Sequence, residues 1–216
     1  MPALDFKIIG VEPAHRGLTP LLHFKLEVTN SPPGETIQSV MLQAQIQIAS
    51  PQREYAGTEK EKLIELFGTP EQWGQTLRNR LWTHSNTVVR TFSGRTEAIL
   101  PVPCTYDLNV ATTKYFYALE GGEVPLLFLF SGTIFYAGSG GRLQIQQVSW
   151  NCECTYRLPT AVWQGLMDYH YPNSAWIALD RETFDRLYEF KRKAGATSWE
   201  EAIGRLLSAR TEAPPP

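Results

Sequence analysis

A chain of 216 residues with 43% hydrophobic and 19% charged side chains carries enough apolar material for a packed core and too little charge for a disordered polymer. Its 20 basic and 22 acidic residues leave a net charge of -2, which is not the electrostatic footprint of a nucleic-acid binder. The longest apolar run, Val124 to Phe130, is too short to span a bilayer as a helix, and Met1 to Lys7 lacks a signal-peptide pattern, so no membrane span and a cytoplasmic location are expected.

The first half alternates at period two. Leu4, Phe6 and Ile8 interleave with Asp5 and Lys7; Leu22, Phe24, Leu26 and Val28 interleave with His23, Lys25, Glu27 and Thr29. Leu42, Ala44, Ile46 and Ile48 alternate with Gln43, Gln45 and Gln47. Each run puts an apolar face on one side of a strand, as a half-buried antiparallel sheet requires. A helical insertion is predicted over about residues 57–80. Leu63, Ile64 and Phe67 fall at helical spacing before Gly68, and Thr69-Pro70-Glu71 reads as a second helix start leading to Trp73 and Leu77. Strands are then predicted over Thr87 to Phe92, Glu97 to Val102, Lys114 to Leu119, Val124 to Tyr136 and Leu143 to Tyr156. The glycine-rich stretch Gly138 to Gly141 reads as a hairpin turn between the last two.

After Pro159 the period changes. Thr160 to Met167 reads as a short helix, and Tyr169 to Ser174 as an aromatic loop. Trp176 to Leu179 reads as a brief strand, and Arg181 to Ala194 as a helix carrying the basic run Lys191-Arg192-Lys193 on a solvated face. Ser198 with Glu201 forms a capping box for a last helix, and 211–216 reads as a frayed tail. The fold class is therefore mainly β: an antiparallel β-sandwich over 1–158 with a helical insertion, and a C-terminal helical extension over 159–210 packed on it.

No catalytic motif is present: there is no serine elbow, phosphate loop or paired-histidine zinc helix, and the four histidines (His15, His23, His84 and His170) lie outside any such pattern. The chain is read as a non-enzyme without a cofactor. Three cysteines, an odd number, suit a reducing compartment. Cys152 and Cys154 project to one face of a strand, and with Cys104 they form the alternative of a metal- or cofactor-handling site; a zinc centre would want a fourth ligand. Aromatic residues dominate interface hot spots, so the partner-binding candidates are Trp73, Trp82 and His84 near the insertion and Tyr169, His170, Tyr171 and Trp176 near the C-terminal junction. A further alternative is a DNA-binding dimer through a ribbon-helix-helix-like unit starting at Trp176, although its strand lacks base-reading side chains.

Several strings resemble an uncharacterised bacterial family encoded near uptake-type nickel–iron hydrogenases. They are Leu66 to Gly74 with Leu81 to His84, Leu100 to Asp107, Gly122 to Leu127 with Phe130 to Thr133, and Tyr171 to Trp176. The resemblance covers about residues 4–208 and brings no catalytic residues. It implies an accessory or scaffolding role as a subunit or assembly factor, with hydrogenase subunits as partners. A second copy of the chain is a further expected partner.

Overall fold

The computed structural model describes residues 1–14, 17–105, 110–138 and 140–211. The alternating runs become β1 (Ala3–Pro13), β2 (Leu21–Ser31) and β3 (Thr36–Ile48). After α1 (Gly57–Phe67) and the short α2 (Trp73–Thr76) come β4 (Arg80–Val89), β5 (Phe92–Ser93) and β6 (Arg95–Pro103). The chain continues with α3 (Val110–Ala118), β7 (Glu123–Ala137), β8 (Leu143–Gln147), β9 (Glu153–Pro159), α4 (Thr160–His170), α5 (Arg181–Lys193) and α6 (Trp199–Thr211). One antiparallel sheet has the order β1-β2-β6. The other runs β4-β3-β7-β8, with β5 also on β3 and β9 also on β7. This is the expected mainly β, sandwich-like fold.

The two sheets bury their period-two faces against each other. Leu22, Phe24, Leu26 and Val28 from one, and Val40, Ala44, Ile46 and Ile48 from the other, are all essentially inaccessible. Aromatic contacts link this core to the helices: Phe128 meets Phe24 edge-on at 5.3 Å, Trp82 meets Phe116 at 5.3 Å, and Phe116 stacks on Trp163 of α4 at 4.7 Å.

Short side chains zip both seams between the sheets. On one side Ser85 and Thr87 of β4 donate to the carbonyls of Pro101 (2.5 Å) and Ile99 (2.8 Å) of β6. Pro101 and Pro103 offer no N–H, as suits an edge strand. On the other side the Cys152 thiol donates to the Leu4 carbonyl of β1 at 3.4 Å. Where the long β7 crosses β3, Gly132 has φ 149°, and a Cβ there would lie 2.1 Å from the Met41 carbonyl oxygen. That approach admits glycine alone.

The helical insertion is anchored by a buried ion pair. Arg53 holds Glu59 of α1 through two bonds of 3.0 and 2.9 Å, with the side chains 9% and 5% exposed. The remaining polar atoms are also satisfied. Arg53 donates to the carbonyls of Gly121 (2.7 Å) and Glu123 (3.2 Å), and Glu59 accepts from the backbone N–H groups of Ala56 (3.0 Å) and Glu120 (2.9 Å). Beside the pair, the Tyr55 hydroxyl donates to Ser50 O at 3.0 Å and stands 3.1 Å from the Tyr115 hydroxyl. Burial opposes the Glu59 carboxylate, but Arg53 and the two N–H groups outweigh it and hold its pKa below the usual range.

The chain divides into two compact units, Met1–Ser174 and Ala175–Pro216. In the second, Asp180 caps α5 by accepting from the Thr183 N–H at 2.8 Å. Ser198 caps α6 by accepting from the Glu201 N–H at 3.1 Å, while the Glu201 carboxylate reaches one residue further back than a capping box requires, to the N–H of Thr197. Phe184, Tyr188 and Trp199 pack together, with ring centroids 5.6 to 6.4 Å apart.

Three expectations are corrected. Lys114 to Leu119 is not a strand: Thr112, Tyr115, Phe116 and Leu119 are buried at i, i+3, i+4 and i+7, so α3 follows the helical period despite its aromatic content. Leu143 to Tyr156 is two strands, because the chain leaves the ladder around Ser149-Trp150-Asn151. The chain re-enters the sheet at Arg80, which pairs with Ile48. Residues 175–180 form no strand within the chain, where a brief one over Trp176 to Leu179 was expected. The expected turn at Gly138 to Gly141 lies partly, and the tail beyond Thr211 wholly, outside the described residues.

Glu59→Gln leaves Arg53 buried without its counter-charge and should cost about 3–5 kcal/mol in urea unfolding. Because folding lowers the Glu59 pKa, its contribution is complete above the unfolded value of about 4.3 and fades as pH falls through the folded value. Wild-type stability should therefore drop on acidification, and the Glu59→Gln curve should be flatter over the same range.

Candidate functional site

The structure does not bring the seven aromatic and histidine candidates together. Trp73 and Trp82 are 7% and 4% exposed and belong to the core, which corrects their reading as partner anchors. Trp73 donates from its indole to the Gly68 carbonyl at 2.9 Å and meets Tyr55 and Phe67 edge-on at 5.4 Å. These contacts give the short insertion a core, a use of tryptophan that spacing alone does not separate from an interface anchor.

His84 lies exposed on the outer face of β4, opposite Gln45. Tyr169 and His170 end α4 instead of forming a loop; Tyr169 is exposed, and the buried His170 Nε2 has no hydrogen-bond partner. Tyr171 is half-buried against the core, and Trp176, exposed, belongs to the second unit. His23 is half-buried in β2, and His15 lies outside the described residues.

The cysteines serve different places. Cys104 is buried, with its thiol 3.5 Å from the Val102 carbonyl, whereas Cys152 and Cys154 are half-buried along β9. Burial pushes the Cys104 thiol up to about 12 and Cys154 to about 11, and it raises Cys152 with help from the Asp5 carboxylate. A raised pKa disfavours the thiolate, the reactive form of cysteine, in the metal-free protein. Among the described residues no group of three or more histidine, cysteine or acidic side chains is placed to hold a metal ion.

Two concavities open on the first unit. One, of about 510 Å³, lies on the outer sheet face among Met41, Leu42, Gln43, Asn86, Thr87 and Val88, with no titratable side chain. The other, of about 490 Å³, lies between the start of β1 and the β8–β9 break and holds Asp5, Cys152 and Glu153 beside Gln146, Ser149 and Asn151. Neither is lined by a histidine.

The most exposed aromatic side chain among the described residues is not one of the candidates read from the sequence. Trp150 is 94% exposed in the break between β8 and β9. Met41, Val88, Leu143 and Ile145 are also exposed, at 59 to 63%, on the outer face of the larger sheet. In the second unit, Ala196 and Ala202 are the buried residues among those described, while Ile177, Phe184, Tyr188, Ile203 and Leu206 are exposed. The signal for these last positions was the apolar helical spacing; what it did not show was whether that stripe is covered.

These features define a class: a mainly β, sandwich-like protein with a helical C-terminal unit, in which no described helix is long and apolar enough to cross a membrane. The chain belongs to a family of unknown function, DUF6084, whose family model matches residues 1–215. No curated protein sequence matches it. Solved structures similar to parts of it include a late embryogenesis abundant (LEA) protein at 12% identity and TM-score 0.31, covering 74% of this chain and 72% of that one. A Bordetella pertussis protein designated ApaA matches at 9% and 0.26, covering 73% and 95%. β-Glucosidase 3B of Thermotoga neapolitana, in complex with α-D-glucose, matches at 12% and 0.27, covering 72% of this chain and 17% of that one.

With a thiol reagent at neutral pH, Cys152 should label first and slowly, Cys154 later, and Cys104 only on unfolding, as read by mass spectrometry of timed samples. Fast labelling of all three in the folded protein would contradict the burial and protonation described here.

Proposed function

We propose that this chain is a non-enzymatic accessory or scaffolding protein whose C-terminal helical unit binds a protein partner. The observation that carries the reading is the thin core of that unit. Roughly forty residues rarely build a self-sufficient core. Here the caps specify two helices, yet Ala196 and Ala202 are the described residues buried, and Ile177, Phe184, Tyr188, Ile203 and Leu206 remain exposed. An amphipathic helix with an uncovered apolar stripe is the usual element that enters a groove on another protein.

The finer reading is that the partner belongs to a nickel–iron hydrogenase system, with this chain as subunit or assembly factor in the cytoplasm. It rests on the resemblance of the sequence strings described above and on no feature of the fold.

The test is co-purification of the full chain at native expression, beside Tyr188→Asp and Leu206→Asp variants. A partner should be recovered in stoichiometric amount with the wild type and reduced roughly tenfold or more with each variant, while the melting of the β-rich unit stays unchanged. Equal recovery with all three proteins, or no partner, overturns the proposal. Mass spectrometry of the partner decides the finer reading, which a partner unrelated to hydrogenase subunits would remove.

A further inference from the structure

We infer that β8 is a self-association edge, through which two copies of this chain join antiparallel and extend the larger sheet across a twofold axis. Strand edges with free N–H and C=O groups invite pairing, and proteins usually block them. This protein blocks other edges visibly. Prolines and the hydroxyls of Ser85 and Thr87 close β6, and the Cys152 thiol closes β1 against the β9 side.

On β8 such protection is missing. Val148 donates to the Gly132 carbonyl at 2.9 Å and Gly138 to the Arg142 carbonyl at 2.9 Å, so the even-numbered residues of β8 turn their backbone toward β7. By the alternation of an antiparallel ladder, Leu143, Ile145 and Gln147 turn theirs away. Among the described residues, no strand pairs with that side.

The occupant follows from the chemistry of the strand. Leu143-Gln144-Ile145-Gln146-Gln147 carries no charge and no proline, and it alternates apolar with amide side chains. A twofold axis at Ile145 sets Ile145 against its own copy, and Leu143 against Gln147. Those are the hydrogen-bonded positions, each exchanging two backbone bonds, about six in all. Gln144 then faces Gln146 of the second copy at the closer, non-bonded spacing. The Gln144 carboxamide oxygen accepts from the Tyr136 hydroxyl at 2.8 Å and the Gln146 nitrogen donates to the Pro2 carbonyl at 3.1 Å, so both amides are engaged within their own chain and the pairing rests on the backbone. No like charges meet, so a second copy fits this edge without repulsion. The exposed Leu143 and Ile145, each 63% accessible, lose surface to the paired strand. Five residues make a small contact, so the dimer is concentration-dependent.

Sedimentation velocity of the full chain should show a monomer–dimer equilibrium that shifts toward dimer with concentration. Ile145→Lys places like charges opposite each other on the axis and should weaken association by roughly tenfold or more; Ile145→Glu should do the same. Both side chains point to solvent in the monomer, so melting should be unchanged. An equimolar mixture of the two variants should restore a dimer, since lysine then meets glutamate. A wild-type chain that stays monomeric at every concentration overturns the inference, as does a dimer that both variants leave intact or a mixture that fails to recover it. The outcome is independent of the C-terminal helices, whose variants retain Ile145.

Discussion

The first unit depends on one buried ion pair. Arg53 follows β3 directly, Glu59 opens α1, and the carbonyls and N–H group that complete their hydrogen bonds belong to the turn between α3 and β7. Two segments distant in the chain, residues 53–59 and 120–123, thus share one polar centre. Charges this deeply buried need their donors and acceptors matched, and here each Glu59 oxygen accepts two hydrogen bonds while each Arg53 nitrogen donates at least one. The centre sets where the insertion leaves the sheet and how α3 returns to it. Around it, Tyr55, Phe67, Trp73 and Tyr115 form an aromatic cluster that gives the insertion its own packing.

The same logic governs the sandwich margins. Two stacked sheets leave seams where backbone groups lack ladder partners. Serine and threonine hydroxyls close one seam, and a cysteine thiol helps close the other. This assigns the Cys152 side chain a structural use that needs no metal. It also makes the uncovered β8 edge distinctive. The break after β8, where Trp150 leaves the ladder, separates the part of this edge that meets β1 from the part that does not.

Where spacing and tertiary context agreed, the elements were legible. The alternation in β1, β2 and β3 and the capped helices α5 and α6 follow from local pattern. Where two patterns competed, reading failed. Lys114 to Leu119 is rich in strand-forming aromatics, yet the buried set Thr112, Tyr115, Phe116 and Leu119 obeys the helical period, and burial outweighs propensity. The candidate site was less legible than the fold. Trp73 and Trp82 have the composition of interface anchors but pack inside, whereas Trp150, where a continuous strand was expected, stands in solvent.

The amino-acid sequence by itself determined which residues alternate and where α5 and α6 form, and hence that the protein is mainly β with a helical C-terminal unit. Those properties depend on side chains within a few positions of one another. Tertiary structure alone decided which aromatic residues are core, that Arg53 meets the Gly121 carbonyl, and that no described strand pairs with the outer side of β8. Each of these depends on groups brought together from far along the chain, whose burial and hydrogen bonds exist only once the sheets have paired.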